Sequence, residues 1–134
     1  MAPKDSGKKE LSHRKMNNKE FGSMGERRAE QYLLEKGFRV LSRNYRTKIG
    51  EIDLIVMKEK LLVFVEVKTR KTKSYGKGFE AVNVKKQQTL RRVADQFVAY
   101  GKDFTKTDLS MRFDVIDVFV QGKEQEITHI ENAF

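Results

Sequence analysis

The chain has 134 residues, with 28 Lys or Arg against 19 Asp or Glu and a formal net charge of +9. That length suits one α/β domain with a real core and leaves no room for two, and the charge favours a polyanionic partner, nucleic acid before an acidic membrane. The lack of cysteine excludes disulfides, zinc–thiolate sites and thiol catalysis. No stretch approaches the roughly 20 apolar residues of a membrane-spanning helix. Nor does the N-terminus carry the apolar segment of a signal peptide, so a cytoplasmic protein with no membrane partner is expected.

Residues 1–19 are polar and have no sustained apolar period, which predicts a flexible basic arm ahead of a single domain over 20–134. Lys4, Lys8, Lys9, Arg14, Lys15 and Lys19 of that arm suit nonspecific phosphate contact, and equally suit simple solubility. Ser23 and Glu26 have the spacing of a capping box, which opens a helix running to Lys36 and stopping at Gly37. Met24, Ala29, Tyr32 and Leu33 supply its buried side. Glu26 shares the side of Ala29 and Leu33, so it is either the cap's partner or an inward-facing carboxylate, and periodicity does not separate the two.

Three strands follow, over Phe38 to Tyr45, Glu51 to Met57 and Leu61 to Thr69, with Gly50 relieving crowding before the second. In the second strand Glu51, Asp53 and Ile55 share one face, and Ile52, Leu54 and Val56 the other. In the third, Glu66 and Lys68 share a face, with Val65 and Val67 opposite. A turn around Lys58 to Lys60 makes the two strands a hairpin, which lets Asp53 approach Glu66 across the pair. Two carboxylates meeting among apolar residues repel unless a cation lies between them, and all-oxygen donors suit Mg²⁺ or Mn²⁺ better than Zn²⁺. Lys68 is then placed to offset negative charge on a phosphate or to orient a water. The plainer alternative is a half-exposed Glu66–Lys68 salt bridge, which contributes little.

The stretch R-K-T-K-S-Y-G-K-G-F from Arg70 reads as a basic loop. Arg70, Lys71, Lys73 and Lys77 are candidate phosphate contacts, and Tyr75 is a candidate stacking residue. A second helix starts near Asn83, with Leu90, Val93, Ala94, Phe97 and Val98 as its sheet-facing stripe. Gln87 falls near that stripe, either as a hydrogen-bonding group at the active centre or as a boundary residue. Lys85, Arg91 and Arg92 face solvent or phosphate. Gly101 ends the helix, and a polar connection leads to a fourth strand over Met111 to Val120. There Arg112 and Asp114 share a face and read as a structural ion pair. Glu126 to Ile130 makes a shorter fifth strand after the turn at Gly122. His13 and His129 have no spacing that supports an imidazole-based site.

Four stretches, G-E-R-R-A-E-Q-Y-L from Gly25, G-E-I-D-L-I from Gly50, V-F-V-E-V-K-T-R from Val63 and R-F-D-V-I from Arg112, together resemble the YraN-like bacterial family. That family is placed in the PD-(D/E)XK nuclease superfamily, related to archaeal Holliday junction resolvases. The resemblance covers nearly everything after the N-terminal arm and keeps the core D…E-x-K pattern. It implies a restriction-endonuclease-like α/β fold, a mixed β-sheet flanked by α-helices. Asp53, Glu66 and Lys68 would hold the catalytic positions, Glu26 the added acidic position in the first helix, and Gln87 the polar position in the next helix. The implied ligands to Mg²⁺ or Mn²⁺ are Asp53, Glu66, Glu26 and the carbonyl of Val67. Lys85 and Arg91 join the loop cations as candidate nucleic-acid contacts. The expected activity is metal-dependent DNA hydrolysis on branched or single-stranded DNA, in a homodimer as resolvase relatives usually are. The alternative is a recognition or scaffold protein that retains the fold without cutting.

Overall fold

Apolar residues alternating on either side of Glu59 and Lys60 build a hairpin at the centre of the sheet. The computed structural model describes residues 16–72, 82–101 and 108–134. Residues 1–15 of the expected arm, and Lys73, Tyr75 and Lys77 of the basic loop, lie outside them. The hairpin's arms are β2 (Glu51–Lys58) and β3 (Leu61–Arg70). On one side β1 (Arg39–Arg46) pairs antiparallel with β2. On the other, β4 (Ser110–Gln121) runs parallel to β3, and β5 (Glu124–Ile130) returns antiparallel to β4. The order is β1-β2-β3-β4-β5. A parallel neighbour needs a crossover, here made through the helix α2 (Val84–Tyr100). The five-stranded mixed sheet flanked by two helices is the expected architecture, consistent with a restriction-endonuclease-like fold.

Each helix covers one face of the sheet. The first, α1 (Asn18–Glu35), lays Ala29 and Leu33 on Leu54, Val56, Val63, Val65, Ile116 and Val118. α2 lays Leu90, Val93 and Ala94 on Ile55, Met57, Leu62, Phe64, Phe113 and Val115. Burying Phe64, Leu33 or Ile116 stabilises the fold by about 1.5–3 kcal/mol each.

Two local readings are corrected. α1 begins at Asn18, not at Ser23, because Asn17 and Glu20 make the capping box: Asn17 Oδ1 accepts from Glu20 N at 2.8 Å, and Glu20 Oε1 from Asn17 N at 3.2 Å. Both pairs of residues have the right spacing, and the upstream one prevails: residues 18–22 continue the helix outward, with the Lys71 ammonium over the Phe21 ring. Lys19, assigned to the arm, is therefore helical.

The second correction concerns alternation. Ile52 packs in the α2 layer with Ile55, while Leu54 packs in the α1 layer. Strict period two would keep Ile52 and Leu54 together, and the structure places them in opposite layers.

Candidate active site at the fork of β2 and β3

The β2–β3 ladder runs from Lys58 opposite Leu61 to Leu54 opposite Val65, and it goes no further. β3 continues alone beside β4 as far as Arg70. Beyond the fork, Asp53 Oδ2 accepts the Val67 N–H at 2.8 Å, so a side chain replaces the lost backbone partner. Glu66 and Lys68 follow Leu62 and Phe64 on the face covered by α2. The sequence-predicted convergence of Asp53, Glu66 and Lys68 is therefore present.

Two glycines let the helices come close enough to frame this site. A Cβ on Gly25 would lie 1.9 Å from Thr69 Oγ1, so α1 can rest on the end of β3 only with glycine there. A Cβ on Gly50 would lie 2.8 Å from the Thr89 methyl, which ties the entry to β2 to the approach of α2 as well as to the turn.

α2 adds a residue that sequence reasoning missed. Asn83 caps the helix, its side chain accepting from Lys86 N at 2.8 Å, and from this first turn the Lys86 ammonium pairs with Glu66 Oε2. Lys68 Nζ lies 3.7 Å from the same oxygen. Glu66 is 6% exposed. Its Oε2 has ammonium groups for neighbours but no well-aligned hydrogen bond. The available signal was the K-K-Q-Q run from Lys85, in the turn that the capping Asn83 opens.

Burial first, then the neighbouring Glu66 carboxylate, push the Asp53 carboxyl up to about 8, with the Val67 N–H opposing and the Glu26 charge adding to the rise. Glu66 moves the other way. Burial disfavours its ionisation, but the proton shared from Asp53 and the ammonium groups of Lys86 and Lys68 outweigh it. Lys86 is likewise opposed by burial, and its carboxylate neighbours raise it. The pair thus carries one proton near neutrality, the usual outcome for two carboxylates sharing a site.

The remaining predicted residues divide. Glu26 is half-buried, accepts from Asn44 Nδ2 at 3.0 Å and lines a cleft with Ser23, Arg27, Glu30 and Arg43. Its charge reaches Asp53, but among the described residues no three Asp, Glu or His side chains gather as a metal cluster. Val67 meets the site through its N–H. Gln87 Nε2 donates to Val82 O at 3.0 Å, so its observed bond steadies the start of α2. Arg70 is held by the buried Asp117, with Nε 2.9 Å from Oδ2. Asp117, opposite Lys68 in the β3–β4 register, was also missed. Lys71 and Lys85 are exposed, and the Arg91 guanidinium lies over Phe113 and Phe134.

Arg112 and Asp114 form the expected structural pair, both Nε–Oδ1 and NH2–Oδ2 contacts being 2.8 Å. Asp114 also bonds His129 Nε2 at 2.7 Å, and His129 Nδ1 meets Tyr32 OH at 3.0 Å, which ties β4 to α1 through β5.

Residues 25–118 match the model of the uncharacterised protein family UPF0102, a span that includes Glu26, Asp53, Glu66, Lys68 and Lys86. The UPF0102 protein of Alkaliphilus oremlandii is 48% identical over 117 residues, covering 87% of this chain and 99% of its own. That of Alkaliphilus metalliredigens is 50% identical over 117 residues, with the same coverage. A third, from Caldicellulosiruptor bescii, is 41% identical over 121 residues, 89% of this chain and 100% of its own. Among solved structures, Pyrococcus furiosus SfsA in complex with Ca²⁺ aligns over 84% of this chain and 61% of that one, at 12% identity and a TM-score of 0.29, too slight a likeness to argue from.

Proposed function

The chain belongs to the uncharacterised protein family UPF0102, and from that premise we propose that it is a metal-dependent DNA endonuclease of the PD-(D/E)XK kind, acting on branched or junction DNA in the cytoplasm. The observation that carries this reading is the meeting of Asp53 and Glu66 at the fork, with the Lys68 ammonium beside them. Two buried carboxylates that share a proton are costly to a fold unless used.

The donor set fits a hard divalent ion. Asp53 and Glu66 offer only oxygen, and Glu66 Oε2 is buried without an aligned donor. Mg²⁺ commonly takes one or two carboxylates and completes its shell with water and substrate phosphate, so the absence of a third close carboxylate is compatible with it. Asp53 and Glu66 would hold the ion, with Glu26 one step outside. The chemistry a bound Mg²⁺ or Mn²⁺ supplies is Lewis acidity toward the scissile phosphate and a lowered pKa for a water.

The chain's own residues do the rest. Asp53 must give up its proton to serve as a ligand, and the Val67 N–H stabilises the resulting carboxylate. Lys68 projects to the same face as Glu66 and offsets charge developing on the phosphate. Lys71 and Lys85 extend the positive surface along the backbone of a nucleic acid. A homodimer would present two such sites to a junction.

One observation favours the alternative of a recognition module: Lys68 and Lys86 together already neutralise Glu66 without a metal. Cleavage of labelled single-stranded, duplex, flap and four-way-junction DNA, with Mg²⁺ or Mn²⁺, separates the two. Cutting that is lost in Asp53→Asn and Glu66→Gln supports the nuclease. Junction binding with no metal-dependent cutting in the wild type would replace it with the recognition module.

A further inference from the structure

Lys86 is placed where a cation is needed and where it cannot diffuse away. Its backbone N–H is fixed by the Asn83 cap, and Leu90, Val93 and Ala94 hold the helix that carries it on the sheet. Its ammonium meets Glu66 Oε2 more closely than Lys68 does at 3.7 Å. Glu66 is the buried carboxylate of the pair and has two ammonium groups beside its Oε2, so a divalent ion entering the site meets an oxygen that already has partners.

We propose that Lys86 is a tethered counter-cation that competes with the divalent ion for Glu66 and so sets the metal concentration at which the site loads. The inference rests on the metal-dependent reading above and assigns a new residue within it. A tethered competitor acts at an effective concentration fixed by its linker, which for short tethers reaches the millimolar range. That is enough to matter against a free ion at comparable concentration. Lys68 cannot play the same part as well, because it shares its strand with Glu66 and stands farther from the oxygen.

Binding of Mn²⁺ alone, followed by calorimetry and by the electron paramagnetic resonance of the free ion, tests this without reference to turnover. The comparison is made at one fixed pH and ionic strength on the full chain. Lys86→Met is expected to bind Mn²⁺ about three- to tenfold more tightly than wild type, the range expected when a half-exposed ion pair no longer has to be broken. Lys86→Gln, which keeps a polar side chain, should behave as Lys86→Met does if the methionine variant folds poorly. Lys86→Arg retains the cation and should stay within about twofold of wild type. Lys60→Met removes the same charge at the hairpin turn away from the fork and should also leave the affinity in place. Unchanged or weaker binding in Lys86→Met and Lys86→Gln, with binding still lost in Glu66→Gln, overturns the competitor while leaving the metal site standing. No Glu66-dependent Mn²⁺ binding in wild type or in either Lys86 variant overturns both.

Discussion

Asp53 supplies β3 with the hydrogen bond that β2 withholds: its Oδ2 accepts the Val67 N–H at 2.8 Å, at the point where the two strands part. This one contact places a carboxylate against Glu66. The cost appears in its ionisation, since Asp53 is pushed up to about 8 by burial and by Glu66.

A pH dependence follows with a definite sign. The unfolded carboxyl titrates near ~3.9. Between that value and about 8 the folded chain holds a proton that the unfolded chain has released, so stability from this group is full in acid and declines as pH rises. Asp53→Asn keeps an acceptor for Val67 N–H and cannot ionise. In metal-free buffer it should be more stable than wild type by about 1–3 kcal/mol at pH 9, with the gain vanishing near pH 4. Urea unfolding across that range is the check, and a pH-independent difference would show that Asp53 is not protonated in the fold.

The start of α1 gives a sharper test of local structure. Asn17 makes both bonds of the capping box with Glu20, whereas Ser23 lies inside the helix. Asn17→Ala should cost about 1 kcal/mol, and Ser23→Ala should change stability by less than about 0.5 kcal/mol. Thermal unfolding of the two variants decides it, and the reverse order would restore the cap to Ser23.

Much of this was legible in the chain. Period-two runs separated by turn residues located all five strands to within two residues, and the Leu90, Val93, Ala94 stripe located α2. E-x-K on one strand and Asp on its hairpin partner brought Asp53, Glu66 and Lys68 together correctly. What periodicity could not supply was the separation of Ile52 from Leu54, because both are apolar and both faces of the sheet are covered, so either side chain suits either layer. It also could not rank two capping boxes of equal spacing. Lys86 escaped because a lysine in a helix's first turn usually faces water, and only the approach of α2 to β3 turns it toward Glu66. Asp117 escaped for a similar reason: its partner, Arg70, reaches it across the parallel β3–β4 pair.

The Asp114 cluster predicts how the protein fails in acid. Burial opposes its ionisation, but bonds from His129, Arg112 and the Asn132 N–H outweigh that and hold its carboxyl below the usual range. A depressed carboxyl contributes stability above its unfolded pKa of ~3.9 and loses it as pH falls through the folded value. Asp114→Asn should therefore cost about 2–4 kcal/mol at pH 7, with the gap to wild type closing below about pH 4. Denaturant midpoints at pH 7 and pH 3 would show it, and an equal gap at both would mean that charge is not what Asp114 contributes.

Arg70 is a candidate phosphate contact that is also held by Asp117, which is 2% exposed and lies one strand away. These two roles separate in a double variant. Arg70→Ala leaves a buried carboxylate without its guanidinium, so it should lose about 1–3 kcal/mol of stability, less than a fully buried pair because Arg70 itself is partly exposed. Adding Asp117→Asn removes the stranded charge and should return most of that stability. DNA affinity should behave differently: if the guanidinium also reaches a phosphate, affinity and its salt dependence fall in Arg70→Ala and do not recover in the double variant, the salt slope losing about one unit. Lys71→Ala supplies the contrast, since an exposed lysine over Phe21 should affect DNA binding with little change in stability. Full recovery of DNA binding together with stability would assign Arg70 to the fold alone and leave the exposed lysines to carry the phosphate contacts.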